Sequence, residues 1–121
     1  MKVFINPGHA PGGNPDPGAC GFGLRESDVT AAVGALVKQY LDAAGVETRL
    51  LQSDSLSGIS ATSNAWGSDL FVSIHCNSAG SDAARGTETY RYPGSTNGAK
   101  LAMRSAAKNI LYVVVNSRAY R

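Results

Sequence analysis

Leu70-Phe71-Val72-Ser73-Ile74-His75-Cys76-Asn77 begins as a nearly unbroken apolar run and continues into a histidine. Such a run without polar alternation is the pattern of a central strand buried on both faces, as in a parallel sheet. A second run, Lys2-Val3-Phe4-Ile5-Asn6, is β-prone, stops at Pro7-Gly8 and leads directly to His9. The chain holds no other histidine, and each of the two follows the carboxyl end of an expected strand. If those strands lie side by side and parallel, both imidazoles reach one rim, where ligands collect in open α/β sheets.

The flanking segments supply the rest of such a fold. In residues 29–44, Val29, Ala32, Val33, Leu36, Val37, Tyr40, Leu41 and Ala44 recur at three- and four-residue steps, predicting a helix with one apolar stripe. Ser27 or Asp28 can cap its start, and Gly45 suits its end. Residues 46–51 alternate like a strand. Residues 57–66 form a second helix, with Trp66 read as core. Residues 87–92 read as a strand stopped by Pro93-Gly94, 99–109 as a helix and 110–115 as a last buried strand. The order β-loop-α-β-α-β-β-α-β predicts an α/β domain in three layers, a mostly parallel twisted sheet flanked by helices. Residues 7–23 form a long loop with six glycines and four prolines, and a loop of that length in a compact domain usually serves function or is disordered.

A chain of 121 residues has room for one domain, so 1–121 is read as a single unit. An apolar share of 43% and a charged share of 17% exclude intrinsic disorder. The net charge is only +2 and Lys and Arg are scattered, so no nucleic-acid partner is expected. The longest apolar run, 110–115, is too short to insert across a bilayer. No secretory signal is visible after Lys2. Cys20 and Cys76 match neither a disulfide framework nor a zinc finger; two reduced thiols are expected, bridged only if the fold joins their loops. The oligomeric state is not readable.

Two imidazoles at one rim suit zinc, which takes histidine nitrogen at about 2.0–2.1 Å and commonly adds a carboxylate. Glu26, at the start of the long helix, is either that third ligand or an acid that favours the helix dipole; the residues alone weigh these equally. Three protein ligands leave one zinc position for water, the arrangement of a catalytic site.

Ile5-Asn6-Pro7-Gly8-His9, Asp16-Pro17-Gly18-Ala19 and Gly23-Leu24-Arg25-Glu26 resemble the opening of the zinc-dependent N-acetylmuramoyl-L-alanine amidases of type 3. The stretch from Asp69 through His75 to Ser78 resembles that family's second histidine motif, and Gly86-Thr87-Glu88-Thr89-Tyr90 its following strand. The resemblance implies Zn2+ held by His9, Glu26 and His75. It implies a peptidoglycan hydrolase, an autolysin or endolysin acting at the bacterial cell wall, that cleaves between the lactyl group of muramic acid and L-alanine. It also implies a catalytic glutamate near the C-terminus, yet no Asp or Glu follows Glu88. The domain is therefore expected to lack its C-terminal part, including a segment near 103–109. Were the protein to end at Arg121, zinc binding with severely reduced turnover would follow.

Glu88 is the remaining substitute for that base. Its direction depends on strand register, and a structural or substrate-contacting role is the preferred reading. Asn77 and Arg25 are the expected substrate contacts. Asp16 is read chiefly as a turn residue, and Cys76 should point away from the metal if the strand continues. Three rivals stand: an amidase-like module that binds wall peptide without cutting it, a phosphate site on the glycine-rich loop, and another zinc hydrolase. The second lacks a phosphate-loop pattern and the third lacks His-Glu-x-x-His.

Overall fold

In a computed structural model, the fold is described for residues 1–80, 83, 86–106 and 113–116. Seven strands and three helices follow in order. They are β1 (Lys2–Pro7), β2 (Cys20–Gly21), β3 (Leu24–Arg25), α1 (Glu26–Ala43), β4 (Glu47–Leu50), α2 (Leu56–Trp66), β5 (Leu70–Ile74), β6 (Thr89–Arg91), α3 (Thr96–Ala106) and β7 (Val113–Asn116). The main sheet has the strand order β4-β1-β5-β7-β6. β1 pairs in parallel with both β4 and β5, and β6 with β7; only the β5–β7 pairing is antiparallel. The mostly parallel α/β sheet expected from the sequence is therefore present.

Side-chain alternation along β1 builds the layers. Val3 and Ile5 join Ile74 in a core that Val33, Val37 and Leu41 of α1 cover from one side. Phe4 faces the opposite way, stacked on Phe71 with ring centroids 5.7 Å apart and 6.3 Å from Trp66 of α2. Helices thus lie on both faces, and Trp66 and Phe71 are packing residues as expected. In β1 the residues from Val3 onward are all buried. β5 holds the middle of the sheet, but Leu70, Phe71 and Val72 are only half-buried. Its apolar run marks its central position rather than complete coverage.

Three local expectations are corrected. α1 starts at Glu26, not near 29, and neither Ser27 nor Asp28 caps it; the cap position is Arg25, without a side-chain bond. Loop carbonyls do that work, because Glu26 N–H donates to Ala19 O at 2.8 Å and Ser27 N–H to Pro17 O at 3.0 Å. The stripe of α1 holds only in part: Val33, Val37 and Leu41 pack on the core, but Leu36 and Tyr40 are exposed, and the fully buried positions of the helix include Thr30, bonded to Gly8 O, and Gly34, against Pro7. A Cβ on Gly34 would lie 2.6 Å from Pro7 Cγ, so glycine sets this close approach. The end of the 7–23 loop is not free of structure: Cys20–Gly21 pairs with Leu24–Arg25, just beyond it, in a short antiparallel ladder, Cys20 opposite Arg25. The expected strand from 110 is described only from Val113, and the segments 107–112 and 117–121, on which part of the incomplete-domain expectation falls, lie outside the described residues. Among the described residues no helix is long and apolar enough to cross a membrane.

Candidate metal centre

Parallel register brings the two histidines together. Pro7 of β1 pairs with Ile74 of β5, and Gly8 N–H donates to Ile74 O at 2.8 Å. His9 and His75 leave the sheet at the same edge, with ring centroids 4.9 Å apart and nearly perpendicular. Glu26, first residue of α1, completes the set. Glu26 Oε1 lies 3.0 Å from His9 Nε2 and 3.1 Å from His75 Nδ1, and the two ring nitrogens are 3.3 Å apart. Ligands about 2.0–2.1 Å from a tetrahedral zinc stand about 3.3 Å from one another. The three atoms therefore have the spacing of one face of such a shell, and two nitrogens with one carboxylate are a donor set that zinc accepts.

The surroundings hold these atoms in place. His9 Nδ1 meets Asp16 Oδ2 at 2.8 Å, while Asp16 Oδ1 accepts Gly18 N–H at 3.0 Å. A carboxylate on the far nitrogen is the usual means of fixing a ligand histidine's tautomer and ring orientation. Glu26 is buried, its side chain 5% exposed. Its Oε2 accepts Ala19 N–H at 3.0 Å and its Oε1 accepts Cys76 N–H at 2.7 Å. Burial alone would raise the Glu26 pKa, but those two amides and His9 outweigh it and hold the carboxyl below its usual range. For His9, burial pulls downward and is overcome by the bonds to Asp16 and Glu26, so its pKa is raised. Asp16 is lowered by the bonds from His9 and Gly18.

Glycine is required at two points of this cluster. A Cβ on Gly8 would lie 2.4 Å from His75 Cε1, and one on Gly18 would lie 2.5 Å from His9 Cδ2 and 2.8 Å from Glu26 Cβ. His9 itself has φ +67, an uncommon backbone state for a residue with a side chain. The Gly8 carbonyl before it is gripped by Thr30 Oγ1 at 2.9 Å and Gln52 Nε2 at 3.1 Å. From the three converging atoms an open cleft runs over Cys76, Asn77 and Ser78 to Glu88 and Tyr90.

A family model described as N-acetylmuramoyl-L-alanine amidase matches residues 3–120. The chain belongs to this amidase family. It is 38% identical over 99 residues to the sporulation-specific N-acetylmuramoyl-L-alanine amidase of Bacillus subtilis (strain 168), covering 77% of this chain and 36% of that protein. It is 34% identical over 95 residues to an endolysin of Bacillus phage SPP1, covering 74% and 33%. Among solved structures it is similar to the amidase AmiC2 of Nostoc punctiforme, with TM-score 0.75, 25% identity, and coverage of 95% of this chain and 77% of that one. The CwlD amidase from Clostridioides difficile, solved in complex with the GerS lipoprotein, shares the fold at TM-score 0.75 and 15% identity, covering 96% and 81%. The chain spans just over a third of the length of the first two curated relatives.

In this amidase-family chain, the remaining expected site residues divide. Asn77 lines the cleft and donates from Nδ2 to Glu88 Oε2 at 3.1 Å, so Glu88 also reaches the site. Arg25 does not line it; its guanidinium is tied to Asp28 at 2.7 Å and to Gly12 O at 3.0 Å. Cys76 borders the cleft beside His75, and burial, then the Glu26 charge, raise its thiol pKa. Both cysteines are free. Sequence reasoning underrated Asp16 and missed Thr30 and Gln52. Asp16 had a signal, being the only acid in the 7–23 loop that carries His9. Thr30 and Gln52 had none, because each acts through a backbone carbonyl.

Proposed function

We propose that this chain is the zinc-binding catalytic unit of a peptidoglycan hydrolase that cleaves the amide between the lactyl group of N-acetylmuramic acid and L-alanine. The observation that carries the reading is the convergence of His9 Nε2, Glu26 Oε1 and His75 Nδ1 at 3.0–3.3 Å, with Asp16 behind His9. Those three atoms would hold Zn2+. When bound, zinc supplies Lewis acidity, lowering the pKa of a water to about 7 and polarising the scissile carbonyl.

The chain's own residues do the rest. Asp16 takes the Nδ1 proton of His9 as a hydrogen bond, which leaves the Nε2 lone pair directed at the metal. The amides of Ala19 and Cys76 hold both oxygens of Glu26, so the carboxylate stays ionised while buried. The open cleft toward Asn77 and Glu88 is where the peptide arm of the substrate would lie. Similarity to wall amidases and to a phage endolysin supports action at the bacterial cell wall.

One feature favours a second reading, a domain that holds zinc and wall peptide with little turnover: among the described residues the one cleft acid outside the candidate ligand set is Glu88, whose Oε2 is already taken by Asn77 and Tyr90. Elemental analysis of the purified chain, followed by assay of L-alanine amino termini released from purified peptidoglycan, separates the two. One zinc per chain with release supports the hydrolase. Zinc without release supports the binder, and no zinc removes both.

A further inference from the structure

We propose that Glu88 is a specificity-determining residue whose carboxylate receives a side-chain ammonium on the peptide arm of the substrate; this rests on the amidase reading of the same cleft. Glu88 stands just before β6, in the cleft that begins at the three metal-ligand candidates. Its Oε2 is fixed by two donors, Asn77 Nδ2 at 3.1 Å and Tyr90 Oη at 3.2 Å. These donors come from the segment after β5 and from β6, the two borders of the cleft. The carboxylate is thus oriented before any ligand arrives, while no hydrogen bond to Oε1 is made among the described residues and Glu88 lines the open cleft.

Charge gives the occupant. Among the described residues the cleft lining holds two acids, Glu26 and Glu88, and no lysine or arginine. Glu26 is engaged by both histidines and two backbone amides. Among the described lining residues, Glu88 is the one acid with no cation beside it. A neutral amide N–H could be met by a neutral acceptor, whereas an ammonium gains from a preoriented, uncompensated carboxylate. Wall stem peptides with a lysine-type side chain present that group.

The test uses the zinc-loaded chain and two muramoyl-L-alanyl peptides that differ only in a lysine side-chain amine, free or acetylated. Binding is measured by calorimetry on ketomethylene isosteres of the scissile amide, and turnover on the amides themselves. The free-amine isostere should bind about two- to fivefold tighter at low salt, the range of an exposed ion pair, and the gap should shrink as salt rises. Glu88→Gln should erase the gap by lowering affinity for the free-amine peptide to that for the acetylated one, with zinc content intact. Glu88→Asp should restore part of it, and Tyr90→Phe should narrow it.

Equal affinity of the parent chain for both peptides, or no measurable affinity for either, overturns the proposal. So does a Glu88→Gln variant that loses affinity for both alike, or that loses kcat on both with affinities intact, the sign of a proton-transfer role. A parent that prefers the free amine but cleaves neither amide supports the proposal and removes the hydrolytic reading. A parent that cleaves both peptides with equal KM retains that reading and removes the proposal.

Discussion

Replacing Gly18 by alanine tests whether the turn after Asp16 shapes the metal centre or merely closes a loop. Gly18 has φ +68, and its added Cβ would lie 2.5 Å from His9 Cδ2, 2.6 Å from His9 Nε2 and 2.8 Å from Glu26 Cβ. Ordinary contact begins near 3.4 Å, so the His9 ring must retreat about 0.9 Å or the turn must open. A metal constellation tolerates about 0.5 Å of displacement, so the shift exceeds what zinc ligation allows. Gly12 provides the control. Its φ of +65 imposes the same backbone strain, yet a Cβ there meets nothing within 4 Å. Gly12→Ala should lose about 1–2 kcal/mol of stability from left-handed strain and keep its zinc affinity. Gly18→Ala should suffer the same strain and, in addition, weaken zinc binding by more than tenfold. Chelator competition gives the zinc affinities, and thermal unfolding of the metal-free chains gives the strain. Equal zinc affinity in the two variants would refute the packing argument, because strain alone would then account for both.

Other perturbations read the same site by different routes. Asp16→Asn should weaken zinc about 10–100-fold by chelator competition while Glu26 and His75 stay in place, since it removes the anion that orients His9. His9→Ala or His75→Ala should abolish tight zinc binding, and Glu26→Gln should weaken it strongly; a negligible effect in elemental analysis would remove that residue from the ligand set. In the metal-free chain, the raised His9 pKa contributes stability below about pH 6.5 that is lost as pH rises through its folded value. The lowered Glu26 pKa contributes stability above about pH 4.5 that is lost as pH falls through its folded value. This pair should therefore stabilise the metal-free chain best between those limits. Zinc should reverse the upper one, because ligation needs neutral imidazole and strengthens as pH rises; melting temperature against pH, with and without zinc, reads both signs.

What the sequence made legible follows from the physics of each signal. β1 announces itself because burial on both faces leaves a continuous apolar run, β5 because its place in the middle of the sheet keeps it apolar although its first residues are half-buried, and the histidines inherit their position from those strand ends. The start of α1 was hidden because its first amides are met by Ala19 O and Pro17 O, tertiary partners that no local cap residue encodes. Its buried face was read only in part, with Val33, Val37 and Leu41 recovered and Thr30 and Gly34 missed, for a related reason. Thr30 earns burial by donating to Gly8 O, and Gly34 by lacking the atom that would strike Pro7, so neither scores as apolar. Both errors sit where α1 closes on the loop bearing His9. The helix is positioned there by the needs of the cluster more than by hydrophobic periodicity, and a pattern that follows burial alone loses the trail at that point. Asp16 belongs to the same set: as a turn residue it is unremarkable, and only the demand for an acceptor on the second nitrogen of His9 gives it a further task. The residues proposed to hold the metal were thus visible in the chain, whereas residues that act on another residue, or on a carbonyl, became visible only once the fold had brought their targets beside them.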